Sequence, residues 1–308
     1  MSLIAIILAL LLEQARPLAD DNPVHRAMQA WAAWVRRSVD AGQTLHAWLA
    51  WSLAVGLPAL ASMAVFWLLW SLHGLLAFAW TVTILYLTLG FRQFSHHFTA
   101  IRAALESGDE AAARQVLADW QGPLPAELDR SELLRRALAL GAVAAHRHVF
   151  GVLVMFLLLA WLGMGPAGAV LYRMAEFLSR KWQAPEVAAT AATAASTVSA
   201  VVTQAWRGVD HVPLRLTALS FAVVGNFEEA LASWRQEGWR EASASHDALL
   251  LAATAGAINA RLGAQAAAGS DTREPQLAHL ASLVGLVWRS VLLWLLLLLL
   301  VTLAYWAG

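Results

Sequence analysis

From Leu286 to Trp306 the chain is almost pure hydrocarbon, with Arg289 as its one charge. A helix over such a stretch rises about 30 Å, the thickness of a bilayer's hydrocarbon core. Soluble helices show one apolar face and one polar face, so a run that is apolar all round needs lipid or a very large core. The feature recurs at Trp48–Trp70, where Ser71-Leu72-His73-Gly74 breaks the run before Leu75–Leu89 resumes it. Two apolar helices around a short glycine-containing turn predict an antiparallel hairpin, with Trp48, Trp51 and Trp70 as interfacial anchors. Only 14% of residues are charged, against roughly 25% in a soluble domain.

The expected fold is therefore all-α, a polytopic integral membrane protein with about 4–5 hydrophobic segments and a helical cytoplasmic layer. The segments are expected near 1–15, 48–70, 75–90, 149–172 and 286–307, within a single membrane domain over 1–308. Polar helical regions are expected at 17–47, 91–148 and 173–285. Leu3–Leu12 is apolar without a basic residue before it, which predicts a retained membrane segment rather than a secretory signal. Ten residues rise only about 15 Å, so this segment must extend, tilt or lie at the interface.

Between the apolar blocks the punctuation is helical. Asp20-Asp21-Asn22-Pro23 reads as a turn, and Trp31, Trp34 and Val35 then share one face before Arg36-Arg37, the pattern of an amphipathic helix at headgroup level. Ser107-Gly108-Asp109-Glu110 and Asn226-Phe227-Glu228-Glu229 have capping-box spacing, predicting helix starts there. Gln121-Gly122-Pro123-Leu124-Pro125 ends one helix and Leu128–Ala145 forms the next. Pro185–Trp206 reads as a surface-packing helix, Val212–Val224 as a short run interrupted by Pro213 and Arg215, and 269–275 as a flexible loop.

The charge-free stretch Val149–Tyr172 is broken at Gly163-Met164-Gly165-Pro166. Either it is one kinked span or it is a re-entrant pair of helices. A broken backbone within a membrane is tolerated where protein or a wet cavity surrounds it, which marks this segment as a candidate functional centre. A single crossing would divide the basic residues almost equally between the two sides, whereas a re-entrant pair leaves all 21 on one face, as the positive-inside bias favours.

Several chemistries are excluded. Acidic and basic residues balance at 21 each, so no net field attracts nucleic acid, and the absence of cysteine excludes disulfides and thiolate sites. No phosphate loop of the G-x-x-x-x-G-K-[ST] type, dinucleotide fingerprint or G-x-S-x-G elbow is present. His96-His97 and His146 with His148 lack the i,i+4 spacing of helical metal sites, so no metal is expected; His146 is instead placed at an interface or pocket. Arg173, Arg215 and Arg261 sit beside apolar segments, where guanidinium groups bind phosphate or carboxylate, or snorkel toward water.

The motif order resembles the superfamily that joins the CobD/CbiB cobalamin-biosynthesis membrane proteins with AmpE, a membrane protein linked to β-lactamase regulation. Asn22-Pro23-Val24 is similar to the family's His-Pro-Val, and Gly108-Asp109-Glu110-Ala111-Ala112-Ala113-Arg114 to its Gly-Asp-x-x-x-Ala-Arg. Residues 165–173, ending in Tyr172-Arg173, resemble its stretch ending in Tyr-Arg or Tyr-Lys. Residues 213–219 resemble Pro-Ala-Arg-Leu-Thr-Ala-Leu, and residues 256–263 resemble Gly-Ala-Leu-Gly-x-Arg-Leu-Gly. Leu12-Glu13 and Val224-Gly225-Asn226-Phe227 look more like AmpE.

The resemblance implies a multi-pass protein of the bacterial inner membrane. In the CobD/CbiB case it implies an ATP-dependent amide synthesis joining an aminopropanol arm, or its phosphate, to adenosylcobyric acid. Arg173, Arg215 and Arg261, with Tyr172, Asn226 and His146, would then hold the reactants. ATP with Mg and a corrinoid are implied by that reading alone. Some family residues differ: Ala144-Ala145-His146 stands where Ala-Glu-Asn is expected, and Met174–Ser179 replaces Asn-Thr-Leu-Asp-Ser-Met. Three readings stay open: a synthase of this family, an AmpE-like non-enzymatic signalling or ligand-binding protein, and a small-molecule transporter.

Overall fold

The computed structural model describes residues 2–16, 23–39, 43–122, 128–182, 192–238, 246–262 and 274–307. The turn at Asp20–Asn22, the helix stop at 123–125, the stretch 185–191, Gly263 and the loop from Gly269 to Arg273 lie outside the described residues. No β-strand occurs among the described residues, and the expected all-α architecture is what the chain adopts. The helices are α1 (Ser2–Ala15), α2 (Pro23–Val39), α3 (Thr44–Leu72), α4 (Gly74–Thr88), α5 (Phe91–Glu106), α6 (Glu110–Gln121) and α7 (Arg130–Ala145). A π-turn at His146–Phe150 joins α7 to α8 (Gly151–Trp161). There follow α9 (Ala167–Lys181), α10 (Ala192–Val224), α11 (Phe227–Gly238), α12 (Ala248–Ile258) and α13 (Leu277–Ala307).

Among the described residues three helical stretches are long and apolar enough to cross a membrane: Thr44–Leu72, Arg130–Trp161 and Leu277–Trp306. In the first and last, 22% of the apolar window is buried by the protein, against 61% in the second. The outer two leave leucine to solvent all along their length, for example Leu57, Leu68, Leu297 and Leu300. Such bare hydrocarbon needs lipid, so this is a membrane protein. Ser2–Ala15, Gly74–Thr88 and Ala248–Ile258 are shorter apolar helices; the last is one that periodicity did not single out.

Cα packing divides the chain into two interleaved compact units, residues 1–90 with 149–213 and residues 91–148 with 214–308. In the first unit the expected hairpin forms as α3 and α4. His73 caps α4, its Nδ1 accepting from the Leu75 amide at 3.2 Å. Helix α1 packs on α4, and the Tyr86 hydroxyl donates to the Arg16 carbonyl at 2.7 Å. Helix α2 packs on α3, with Val35 buried and the Trp31 indole donating to the Ala54 carbonyl at 3.1 Å. Trp34, expected on one face with Trp31 and Val35, is exposed and stacks on Trp31 with ring centroids 5.3 Å apart.

The broken segment is a helical hairpin, not one kinked helix. Helix α8 stops at Trp161 and α9 starts at Ala167, with Gly163 and Gly165 at φ +79° and +56° between them. Side chains with a Cβ resist those angles, and a Cβ at Gly165 would also strike the Phe66 ring. The two arms are antiparallel and nearly touch. A Cβ on Gly168 would run into the Met155 carbonyl, and one on Gly151 into the Tyr172 ring. Small residues at such crossings let helix backbones approach, which is how membrane helices gain packing energy.

The second unit builds a layer of α5, α6 and α7 beside α11, α12 and α13. Helix α5 ends near Ser107, whose hydroxyl donates back to the Ala104 carbonyl. The residue that caps α6 is Asp109, its Oδ1 accepting from the Ala112 amide at 2.9 Å; the serine expected in that role sits two residues too early. Helix α10 corrects another expectation. It runs unbroken through Pro213 from Ala192 to Val224, where a surface helix and a separate short run were expected. Buried Trp206, Leu214, Ala218 and Phe221 flank the proline. Packing along that length outweighs the local loss of one amide bond, as membrane helices allow.

Candidate functional site

Of the six residues singled out from the sequence, Tyr172 and Arg173 lie in the first unit and His146, Arg215, Asn226 and Arg261 in the second. Each group is built differently.

Tyr172 is fully buried on α9. The missing side chain of Gly151 makes room for its ring, and its hydroxyl donates to Asp210 Oδ1 at 2.8 Å. Trp206, one helical turn before Asp210 on α10, packs against the tyrosine with ring centroids 5.4 Å apart. Asp210 is itself fully buried. Burying a carboxylate in an apolar helix is costly without a partner, so ionisable groups there mark functional or organising positions. Sequence reasoning passed over Asp210, although it is the one acid between residues 192 and 224.

Arg173, one residue further, is committed to a local ion pair. Its Nη1 lies 3.3 Å from Glu176 Oε2, and Arg180 Nε lies 2.6 Å from the other oxygen of the same buried carboxylate. Beside the α8–α9 turn, a cavity of about 110 Å3 is lined by Phe66, Trp70, Phe78, Phe156 and Gly165. The side chains named carry no charge, so the cavity suits hydrocarbon rather than phosphate.

In the second unit His146 opens the π-turn and is fully buried, with its Nδ1 2.9 Å from the Thr217 hydroxyl. Thr217 stands two residues from Arg215 on α10, so His146 and the arginine-bearing motif share one helix as support. The next residue, Arg147, pairs with Asp247 at 2.8 Å, at the start of α12. A π-turn carries an extra residue and often lies at functional positions. Here it sends neighbouring side chains to two different elements.

Asn226 works as a cap. Its Oδ1 accepts from the Glu229 amide at 3.4 Å, and its own amide donates to the Ala257 carbonyl at 3.1 Å. Helices α11 and α12 are pressed together there, since a Cβ at Gly256 would strike the Glu229 carbonyl and Ala230. Helix α12 ends on Asn259 at φ +55°, the left-handed conformation asparagine tolerates, with the Ala260 amide bonded back to the Ala255 carbonyl. That turn carries Arg261 to the surface.

The same loop meets charged groups that the sequence did not single out. Glu132 receives Arg135 through two bonds (Nε to Oε2 at 2.7 Å, Nη2 to Oε1 at 2.6 Å) and Arg136 through Nε at 2.7 Å. Arg135 Nη1 also points to the Leu262 carbonyl at 3.5 Å. Burial pushes the Glu132 carboxyl up, but the hydrogen bonds and charges of Arg136 and Arg135 together outweigh it. The carboxyl is held below its usual range.

His97 stacks on Trp120 with ring centroids 5.7 Å apart, an aromatic packing role. His96 lies edge-on to His97 at 5.7 Å.

Known proteins resemble this chain over most of its length. The family model for the CobD/Cbib protein matches residues 3–283. The cobalamin biosynthesis protein CobD of Stutzerimonas stutzeri (strain A1501) is 30% identical over 272 residues, covering 84% of this chain and 82% of that protein. The protein of the same name from Chromobacterium violaceum (strain ATCC 12472) is 30% identical over 185 residues, 59% of this chain and 54% of its own. No solved structure matches. A match running from the first helix into α13 leaves the assignment plain: the chain belongs to the CobD/CbiB family.

Proposed function

We propose that this protein acts in cobalamin biosynthesis as a multi-pass protein of the bacterial inner membrane, attaching the aminopropanol arm to adenosylcobyric acid. The observation that carries the reading is the family match over residues 3–283, with relatives named for cobalamin biosynthesis. Joining a carboxylate to an amine requires one carboxylate oxygen to leave. ATP makes that possible if its terminal phosphoryl group is taken by the carboxylate, so that the amine displaces phosphate and loses a proton. The protein's part in such a reaction is to hold anions and orient the two reactants. Exposed Arg261 supports that role better than Arg173, which already holds Glu176.

A strain lacking this gene should need added cobinamide and should fail on cobyric acid alone. Growth on cobyric acid would remove the reading. Arg215→Ala and Arg261→Ala should abolish complementation while leaving membrane expression intact.

A second reading has one observation in its favour. His146 stands where the family's Ala-Glu-Asn is expected and is buried against Thr217, an arrangement that suits a ligand-binding member without catalysis. An altered β-lactam or envelope response with no corrinoid phenotype would favour it. For the membrane topology we propose that 149–172 is re-entrant, with 91–148 and 173–285 on one face. Ser179 is buried, so cysteines at Ser107 and at exposed Lys181 are the better probes. Labelling from opposite sides would refute the arrangement.

A further inference from the structure

The loop that carries Arg261 lies beside a concentration of positive charge in the second unit. Arg135 and Arg136 are adjacent at the start of α7, and both turn back to one carboxylate, Glu132, three and four residues earlier. Arg135 Nη1 reaches the carbonyl of Leu262, the residue after Arg261. The helix start and the loop 259–262 are thus held together through a guanidinium.

The charges do not balance. Two guanidinium groups, Arg135 and Arg136, share one carboxylate, and Arg261 on the adjoining loop adds a third positive charge. Glu132 engages Arg136 through Nε, and the two terminal nitrogens of that guanidinium have no acceptor among the described residues. Arg261 has no ion pair or hydrogen bond among them. The Arg135, Arg136 and Glu132 side chains are only 26%, 29% and 24% exposed. Water therefore screens this cluster less than it would a free surface arginine, and unmatched donors in such a place favour a compact multi-oxygen anion. Glu132 fixes the geometry. It removes rotamer freedom from both arginines, so less entropy is lost when an anion arrives.

We propose that Arg136 and Arg261 form a phosphate-binding site, positioned by Glu132 and Arg135, that takes the phosphoryl oxygens of a reactant or of a lipid headgroup. The assignment of those oxygens to a reactant rests on the synthase reading above. The site itself does not.

The test uses the full-length protein in nanodiscs of phosphatidylcholine, with binding measured by calorimetry for ATP without magnesium and for aminopropanol phosphate. A third arm replaces a quarter of the lipid by phosphatidylglycerol and asks whether soluble-ligand binding is displaced. Wild type should bind one soluble phosphate compound, and Arg136→Gln and Arg261→Gln should each weaken it about tenfold, the loss expected for one charge-assisted contact. Arg102→Gln, removing an equally basic but more exposed partner of Glu106, should leave binding unchanged. Competition by phosphatidylglycerol in wild type, lost in both variants, would assign the site to a headgroup. Absence of binding in all three arms, or equal weakening by Arg102→Gln, overturns the proposal. Complementation run alongside separates the failures. Arginine-dependent binding in a protein that does not restore cobinamide synthesis leaves the site and removes the synthase reading, and the reverse result does the opposite.

Discussion

The α8–α9 hairpin and the start of α7 solve the problem of polar groups in an apolar protein in opposite ways. Gly151 and Gly168 cannot carry a side chain in the hairpin crossing, and Tyr172 of its second arm is fully buried, its hydroxyl 2.8 Å from fully buried Asp210 of α10. At the start of α7 two arginines share one carboxylate, partly in water and with donors to spare. A matched, dehydrated pair organises the structure. Unmatched charge at partial exposure is costly to keep unless something binds it. On the proposal above, recognition belongs to the arginine cluster and not to the broken segment, whose cavity has no charged residue in its lining.

Four measurements press on that contrast. The largest effect is expected for Gly168→Leu, which drives a side chain into the Met155 carbonyl. Backbone cannot rotate away, so a loss of about 3 kcal/mol, read as a lowered unfolding midpoint in detergent, should follow. A stable variant would mean that the hairpin arms are not pressed together. Next comes Tyr172→Phe. It removes the phenol donor from buried Asp210 and should cost about 1–3 kcal/mol, with Asp210→Asn partly restoring the loss by removing the charge. No destabilisation would contradict a matched pair. Asn226→Ala should cost about 1 kcal/mol through the lost cap of α11, with phosphate binding unaffected.

Glu132→Gln should have the smallest effect on stability, under about 1 kcal/mol for an ion pair open to water. Its folded carboxyl titrates below the usual glutamate range. The contribution is therefore present at neutral pH and lost as the pH falls through that lowered value. The difference between wild type and variant should close on acidification, and a gap persisting in acid would exclude the ionised carboxylate as its source.

Much of the scaffold could be read directly. The hairpin turn at His73-Gly74, the break at Gly163–Pro166 and the cap at Asn226 depend on local chemistry, and each is where the residues put it. Helix α10 was hidden because a proline penalty is local and legible, whereas the packing of Trp206 and Phe221 that overrides it is not. Helix α12 escaped notice since eleven apolar residues, about 16 Å of helix, are too short to signal a span. The arginine cluster was invisible for another reason. Glu132, Arg135 and Arg136 have the spacing of any solvated helix face, and their link to Leu262 crosses 127 positions of sequence. Tyr172 was found through its motif, but its partner 38 residues away belongs to no motif at all.

The π-turn at His146–Phe150 bears on how this chain tolerates gain or loss of a codon. A single deletion inside an ordinary helix turns every later side chain by about 100° around the axis, since 3.6 residues complete a turn. Between residues 146 and 150 the helix already holds one residue more than an α-helical path needs. Removing one there would restore the regular path and keep Gly151 and Met155 facing α9, while the same deletion in 152–154 would turn Met155 away from the face it shares with Gly151. This five-residue stretch is thus where the length of the Arg130–Trp161 helix can change while the α8–α9 crossing keeps its phase.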